Sequence, residues 1–562
     1  MNTLNPVIGV YEFETVVQQG YYVDKTEALQ YIYDLGDGGT VALFCRPRRF
    51  GKSLMLSMAD TFFDVRKGDK SGLFEHFKVA SLPCFAAHNS VPVIHLDFKN
   101  CLGENAETIL GSTFRAIREA FERYLTQDEI VGLSSSEADS LRALRNGNAS
   151  RYEYESSLLL LSKAVCLQSG CKPMLLLDEY DAQMNDAFAK GFLDEVSPFF
   201  KAFYGSGLKG NPYLRVGIIT GVLPFANDSL SSGWNSSRLD NGVYTVFPSE
   251  CFAFSEEEVD RIMQDYHTLV PKEKIRQWYG NYVYGEKTYY NPWSIMNFFA
   301  GRERFNLYWN RTGSLSVIED LLRSGSTQLN AIVQKIYAGG EIDAQSDFSY
   351  RYGDIYATAE AALLFLYSSG YLTSSRFDEE GRIYFAIPNQ EVRLAYKKNI
   401  MDYYESKGAP LKNLGRLKEC FLRGEVEEIQ DYFEELLTAM NFTEYGNWMV
   451  YQSLVAFVCA TVFDNYVVDQ EISSGDGRCD IFMEPRDPRE PGFLLEVKSS
   501  KTRTSEARLI SLSSTCLAQM ERMRYAERLQ RKGVKEIHLY GVAFSWKRCR
   551  VSHKVALDSD TK

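Results

Sequence analysis

Val41-Ala42-Leu43-Phe44-Cys45-Arg46-Pro47-Arg48-Arg49-Phe50-Gly51-Lys52-Ser53-Leu54 is an apolar run, a basic turn and the start of a segment with helical apolar spacing (Leu54, Met55, Met58, Ala59, Phe62). A strand, a turn ending in Gly-Lys-Ser and a helix predict a phosphate-binding loop. Backbone N–H groups and the Lys52 ammonium would face a β/γ-phosphate, and the Ser53 hydroxyl would face Mg²⁺. Arg48, Arg49, Gly51, Lys52 and Ser53 are therefore candidate nucleotide-binding residues. The pattern G-x-x-x-x-G-K-[ST] places its first glycine where this chain has Arg46. The competing reading is a Gly-Lys-Ser in an ordinary helix cap.

Two later stretches favour the nucleotide reading. Lys172-Pro173-Met174-Leu175-Leu176-Leu177-Asp178-Glu179-Tyr180-Asp181 has the form of a buried parallel strand that ends in acids. Asp178 would hold Mg²⁺ and Glu179 would polarise the attacking water, the division of labour that phosphoryl transfer needs. Leu214-Arg215-Val216-Gly217-Ile218-Ile219-Thr220-Gly221 ends in a hydroxyl, Thr220, placed to sense a γ-phosphate. Each stretch alone reads as a core strand; the three in this order predict a P-loop ATPase that binds ATP and Mg²⁺.

At 562 residues the chain is too long for one core. The segments expected are a P-loop domain over 1–250, a helical lid and linker over 251–409, and a third domain over 410–562. The first residues carry no basic-then-apolar leader, and the longest apolar run, Leu454 to Phe463, is far short of the roughly 18 residues of a membrane span. A cytoplasmic protein without a membrane partner is expected. Eleven cysteines without a C-x-x-C pair argue for reduced thiols and against a zinc site. The net charge of −12 is unevenly spread: Lys498 to Lys554 holds fourteen Lys and Arg against four Glu, a net of +10 that leaves −22 elsewhere. That asymmetry predicts a nucleic-acid-binding face on the C-terminal domain, with a solvated helix surface as the plain alternative.

Along the chain, Leu29, Ile32, Tyr33 and Leu35 suggest a helix before the loop strand, and Val91 to Phe98 a further strand. Residues 105–165 read as helical, broken by a polar loop at Ser134 to Asp139 and by Gly147. Asn227 to Asn241 reads as a long loop near the nucleotide. Ser255 and Glu258 form a capping box. The aromatic clusters around Trp278 and Trp293 read as packing corners. Residues 315–408 read as helical, ending in a small hairpin.

Past Pro410 the texture changes. Gly477-Arg478-Cys479-Asp480-Ile481-Phe482-Met483 and Phe493-Leu494-Leu495-Glu496-Val497-Lys498 read as two strands joined by a polar turn. Asp480 opens one strand, while Glu496 and Lys498, two apart, share a face of the other. Such a hairpin can hold Mg²⁺ or Mn²⁺ on Asp480 and Glu496 and orient or deprotonate a water with Lys498. A surface Glu–Lys pair is the competing reading of the tripeptide.

The D…E-x-K hairpin resembles the PD-(D/E)XK nuclease superfamily. The whole chain from Ile8 to Val551 resembles the prokaryotic family in which an AAA-ATPase-like domain is fused to such a nuclease. The shared stretches are Tyr22-Val23-Asp24-Lys25-Thr26, Arg46 to Ser53, Leu177 to Asp181, Thr220-Gly221, Tyr290-Asn291-Pro292-Trp293-Ser294, Gly370-Tyr371-Leu372, Pro388-Asn389, and Gly477 to Asp480 with Glu496 to Lys498. The resemblance implies an α/β fold: an AAA-like P-loop domain with a mostly parallel sheet and a helical lid, a helical region, and a restriction-endonuclease-like α/β domain. It also implies a metal role for Glu471, an acid before the Gly-Arg-x-Asp strand, and a site role for Gln519, in the helix after Glu-x-Lys. Where the family carries an acid and a Tyr-His pair, this chain reads Trp448-Met449-Val450-Tyr451-Gln452, with Glu444 the nearest acid. The function expected is an ATP-regulated, metal-dependent nuclease acting on DNA or RNA, possible as a homo-oligomer. The alternative is a regulatory ATPase whose nuclease fold only binds nucleic acid.

Overall fold

Alternate residues of the first strand, β1 (Thr40–Cys45), enter different cores. Val41, Leu43 and Cys45 join one apolar cluster, and Ala42 and Phe44 another. A strand whose side chains alternate yet are buried on both sides belongs inside a sheet covered on both faces. The computed structural model describes residues 6–126, 130–224, 237–243, 247–309, 317–323, 327–345, 350–406, 414–439 and 448–557. In it β1 lies between β4 (Val216–Gly221) and β5 (Ser237–Asp240), with β3 (Met174–Asp178) and β2 (Val93–Asp97) beyond β4. Every pairing is parallel. The C-terminal ends of the strands therefore meet at one edge, where open parallel sheets bind ligands. Asp97 pairs with Asp178 there, and Phe44 with Thr220.

Within 105–165 the described residues form the helices Ala106–Tyr124, Ser135–Asn146, Arg151–Glu155 and the start of Ser157–Ser169, but Ser134 to Asp139 is not a loop. Ser134 caps the helix Ser135–Asn146, its Oγ accepting from Glu137 N and the Glu137 carboxylate accepting from Ser134 N. The polar residues read as a break are a capping box and first turn. Gly147 closes that helix with φ +73°.

The middle of the chain is a helical layer with two small sheets. A hairpin pairs β6 (Tyr282–Tyr284) with β7 (Lys287–Tyr289). A three-stranded antiparallel sheet orders β8 (Ile342–Gln345), β10 (Arg382–Ala386) and β9 (Thr373–Phe377). This sheet corrects the expectation of a helical 315–408 ending in a hairpin: two of its strands do form a hairpin, and β8 adds a third. The capping box at Ser255 opens the helix Glu256–Asp265 as expected. Lys25 ties this layer to the start of the chain, its ammonium reaching Glu258 at 2.6 Å and the carbonyls of Glu250 and Ala253 at 2.6 Å each. Tyr22 to Thr26 is thus a clamp between elements: the Asp24 carboxylate also accepts from Thr26 N at 2.9 Å and from Lys78 N at 2.8 Å.

The C-terminal sheet is mixed: β11 (Tyr466–Ser474), β12 (Gly477–Pro485), β13 (Gly492–Ser499), β14 (Glu536–Ser545) and β15 (Arg548–Leu557), in that order. Within it β13 and β14 run parallel, joined by a crossover that contains the helix Glu506–Arg522, and the other neighbours run antiparallel. The nearly all-apolar helix Trp448–Val462 packs on the sheet and is buried along almost its whole length, which its composition requires. The apolar cluster that includes Leu43 extends through Leu364 to Leu495 and Val542, so the middle layer shares its core with both sheets. All eleven cysteines are free thiols, nine of them buried. Among the described residues no helix is long and apolar enough to cross a membrane.

Candidate functional site

At the sheet edge Gly51 takes φ +88° as the cap of the helix Lys52–Phe63, a left-handed conformation that glycine adopts without penalty. This turns the helix N-terminus and its unpaired N–H groups toward a cavity of about 520 Å³. Arg48, Arg49, Gly51, Lys52, Ser53 and Glu179 line it. The Lys52 ammonium bonds to the carbonyls of Arg46 (3.0 Å) and Pro47 (3.2 Å) and lies 3.8 Å from Glu179. Burial pushes the Glu179 carboxyl above its ordinary range; Lys52 pulls it down and Asp178 up. Asp178 and Thr220 sit behind this surface. They are buried and bonded to each other, Thr220 Oγ1 donating to Asp178 Oδ1 at 2.5 Å. Thr220 therefore orients Asp178 in this structure instead of facing the cavity.

Arg46, at the position of the missing glycine, is fully buried and paired with Asp240 of β5 at 2.5 Å. Its guanidinium also donates to the carbonyls of Cys45 (3.0 Å) and Asp240 (3.2 Å) and lies over the rings of Phe252 and Tyr284. The arginine is a bolt between the loop and the edge strand. A local motif has no means of finding Asp240, which is 194 residues away.

The far wall of the cavity is apolar. Tyr11, Met55, Phe254, Trp293 and Met296 contribute to it. The Arg49 guanidinium stacks over the Trp293 ring, 4.2 Å from its centroid. Trp293, read as a packing corner, is therefore at the site. Its position is set by Asn291, which caps the helix Pro292–Ala300 by accepting from Ser294 N at 3.2 Å. A second tryptophan, Trp309, donates from Nε1 to the Arg48 carbonyl at 3.2 Å and from its backbone N to Glu391 at 2.6 Å. Of the span Asn227 to Asn241 read as a loop, Ser237–Asp240 is instead the strand β5, held by its pairing with β1, and residues 227–236, like Glu444, lie outside the described residues.

The second constellation lies on the face of the C-terminal sheet beneath the helix Glu506–Arg522. Asp480 sits inside β12, not at its start, and its Oδ2 accepts from Val497 N at 2.8 Å. Here β12 splays from β13 after the pair Ile481 and Leu495, and a side chain replaces the main-chain partner. Glu496 and Lys498 share a face as expected. Gln519 bridges them, accepting from Lys498 Nζ at 2.7 Å and donating to Glu496 Oε1. Gly541 lets the helix come this close: a Cβ there would lie 2.0 Å from the Ser513 carbonyl. Glu496 is buried, and its Oε2 has no hydrogen-bond partner among the described residues. Burial, then the neighbouring Asp480, raises the Glu496 carboxyl to about 8; Lys498 opposes this. Burial also raises Asp480 to about 6, against the Val497 N–H and with a contribution from Glu471.

Residues 7–231 match a family described as predicted AAA-ATPase, and residues 448–554 match one described as the PD-(D/E)XK nuclease superfamily. The chain joins an AAA-ATPase-like domain to a PD-(D/E)XK nuclease superfamily domain. Among curated proteins it is similar to an "Uncharacterized protein in vnfD 5'region" of Azotobacter chroococcum mcd 1, 25% identical over 537 residues and 93% of each chain. No solved structure matches the chain.

Within the nuclease-like domain an orphaned, buried carboxylate oxygen beside a second carboxylate fits a divalent cation, since leaving it bare costs desolvation that a cation offsets. Glu471 does not join them. Its carboxylate lies 3.2 Å from Arg478 and 3.6 Å from Lys335. Among the described residues no group of three or more His, Cys, Asp or Glu is placed to hold a metal ion. The basic face is also less open than its charge suggests. Arg524 pairs with Asp476 (2.8 Å), Arg531 with Glu527 (3.1 Å) and Lys532 with Glu484 (2.6 Å), while Arg528 bonds the Ser473 carbonyl and lies over Phe482. The helix ends at Arg522, and Glu527–Gln530 is a separate turn.

Proposed function

We propose that this chain is an ATP-binding, ATP-regulated nuclease that cuts DNA or RNA phosphodiesters with a divalent cation, built from segments 1–250, 251–409 and 410–562. The observation that carries the reading is the unpartnered Glu496 Oε2 beside Asp480, with Lys498 and Gln519 on the same face. Asp480 and Glu496 would hold Mg²⁺ or Mn²⁺, whose charge would polarise the phosphate and a bound water. Lys498 would orient that water or take its proton, and Gln519 would hold Lys498 and Glu496 in register. In the N-terminal site Lys52, Arg48 and Arg49 would face the phosphates and Ser53 and Asp178 the nucleotide's Mg²⁺. Glu179 would polarise the water of hydrolysis, and Thr220 would keep Asp178 in place.

What supports coupling is a run of direct contacts. Arg48 meets Trp309, Trp309 meets Glu391, and Arg393, two residues along the helix Gln390–Ser406, lies over Tyr337 of the helix Thr327–Tyr337. That helix packs on Trp448–Val462. ATP can act through it only by binding one arrangement more tightly than another.

The test incubates the purified chain with DNA and with RNA under Mg²⁺ or Mn²⁺, with ATP, with ADP and without nucleotide. Metal-dependent cleavage is expected, lost by about a thousandfold or more in Asp480→Ala and Glu496→Gln and altered by ATP in the parent but not in Lys52→Ala. Calorimetry should show Lys52→Ala losing about tenfold or more in ATP affinity and Glu179→Gln keeping it. An intact, folded chain that binds nucleic acid without cutting it under any of these conditions would establish the alternative, a regulatory ATPase with a silent nuclease fold.

A further inference from the structure

Glu471, Asp480 and Glu496 occupy one row across three neighbouring strands. Gln470 pairs with Ile481 and Ile472 with Cys479, so the residue facing Asp480 from β11 is Glu471. Ile481 pairs with Leu495, so the residue facing Asp480 from β13 is Glu496. Residues opposite one another in an antiparallel ladder project from the same face. The row thus brings three carboxylates into line, and the ladder is interrupted on both sides of Asp480, whose pairs with Glu471 and with Glu496 are both missing. Glu471 has φ +52°, its pairing with Asp480 is missing from the ladder, and its carbonyl accepts instead from Arg478 Nε. A positive φ at a non-glycine residue is costly and persists where the surroundings impose it.

Those surroundings come from the middle layer. Lys335, near the end of the helix Thr327–Tyr337, places its ammonium 3.6 Å from Glu471 Oε2, and its carbonyl accepts from Gln470 Nε2 at 3.1 Å. Directly after this helix, Gly339 has φ +83°, and a Cβ there would lie 2.6 Å from the Val468 carbonyl. At Gly340 a Cβ would lie 2.5 Å from Lys335 Cγ and 3.0 Å from Gln470 Nε2. Two consecutive glycines let the helix end press on the edge strand β11 at the residues flanking Glu471. Arg478 grips Glu471 as well, but it is exposed and belongs to the same hairpin; Lys335 is the partner that another part of the chain can withdraw.

We propose that Lys335 is a latch that holds Glu471 away from the Asp480–Glu496 site, and that withdrawing it lets Glu471 become the third carboxylate on the divalent cation. The inference rests on the reading of Asp480 and Glu496 as a cation site. The orphaned Glu496 Oε2 marks where a cation would sit, and the register places Glu471 opposite Asp480, the other carboxylate of that site. Moving the middle layer relative to β11 would then switch metal affinity without moving Asp480 or Glu496. That is a coupling of a kind a nucleotide bound at the other sheet could drive.

The experiment titrates Mn²⁺ into the full-length chain by calorimetry without nucleic acid, so turnover is not the readout. Lys335→Met keeps the packed stem and removes the charge, Lys335→Arg restores a cation, and Glu471→Gln removes the ligand. Lys335→Met should tighten Mn²⁺ about tenfold, Lys335→Arg should return the parent value, and Glu471→Gln alone should stay within about twofold of the parent. The double variant Lys335→Met/Glu471→Gln should lose the gain. A double variant that keeps the full gain would show that only the field of Lys335 was felt, and the latch would be wrong. Unchanged affinity in a folded Lys335→Met chain would overturn it equally. The underlying site has its own control: parent-level Mn²⁺ binding in Glu496→Gln would remove the cation site itself, whatever Lys335 does.

Discussion

Arg46 and Glu496 are both buried ionisable residues beneath a candidate site, and they are treated in opposite ways. Arg46 meets the opposite charge of Asp240 at 2.5 Å and adds two backbone carbonyls and two aromatic faces, although its Nε has no hydrogen-bond partner among the described residues. Glu496 has one oxygen satisfied by Gln519 and the other by nothing among the described residues. A buried charge paired with an opposite charge inside the chain is part of the fold, because removing either partner takes a counter-charge from the other in low dielectric. A buried carboxyl left half bare lowers stability when it ionises unless something else binds it, so it marks a place for a ligand. The loop arginine interrupts a familiar motif yet belongs to the scaffold, while the glutamate of a common tripeptide keeps an oxygen without a partner among the described residues.

The sharpest way to break this contrast is to complete the motif. Arg46→Gly restores the expected first glycine of the phosphate loop but removes the guanidinium paired with the buried Asp240. The expected result is a drop of about 3–5 kcal/mol in stability, measured by urea unfolding, with nucleotide affinity reduced only as far as the loop is disturbed. An Arg46→Gly chain of unchanged stability would show that the bolt is not structural. Glu496→Gln should behave in the opposite sense, and with a pH signature. Burial raises the folded carboxyl to about 8 from its ordinary value of 4.5. Its contribution to stability is therefore fully present below about 4.5 and is lost as the pH climbs through 8, when a buried carboxylate must ionise. In metal-free buffer the difference in Tm between Glu496→Gln and the parent should move in favour of the variant by about 3–6 °C from about pH 5.5 to about pH 8.5. Mn²⁺ should recover the parent at high pH and leave the variant unmoved. Because the cation competes with a proton on Glu496, parent Mn²⁺ affinity should rise over the same window. A pH-independent difference would place the carboxyl in an ordinary environment.

Elements whose signal is local are legible in the sequence. The strand into Gly51-Lys52-Ser53, the strand into Asp178-Glu179 and the β12–β13 hairpin each announce themselves by apolar runs and turn residues close together in the chain. What fails to show depends on partners distant in sequence. Thr220 reads as a phosphate sensor until Asp178, on the neighbouring strand, takes its hydroxyl proton in a hydrogen bond. Trp293 reads as packing until Arg49 stacks on it. Lys335 carries no motif at all; it is one cation in an amphipathic helix, and only the register of β11 gives it meaning. The short strands β9 and β10 read as a hairpin, but β8, four residues long, has no pattern that separates it from a helix turn. Ser134 to Asp139 misleads because the residues that make a loop polar are the same ones that cap a helix.

The basic segment offers the finest test of the comparison, since its charges too divide into those with carboxylate partners and those better placed for a phosphate. Lys498 to Lys554 carries a net charge of +10. Arg524, Arg531 and Lys532 are already engaged by Asp476, Glu527 and Glu484, so a phosphate would have to compete with a carboxylate for each. Arg522 is exposed in the last turn of the helix, three residues from Gln519 and so beside it on the helix surface that reaches the Glu496 site, which makes it the better candidate for a phosphate contact. Removing one cation that neutralises a phosphate reduces the slope of log affinity against log salt by about 0.7–0.9. Arg522→Ala should flatten the slope for a DNA or RNA ligand by about that amount, read by anisotropy in EDTA so that cleavage does not intrude. Arg524→Ala and Lys532→Ala should each change it by less than about half a unit, because removing them also frees a carboxylate that was already neutralised. Equal effects at all three positions would mean that ion pairing in the free chain does not decide which cations meet nucleic acid. No effect at Arg522 would return this helix end to a solvated surface and move the nucleic-acid path to another face of the sheet.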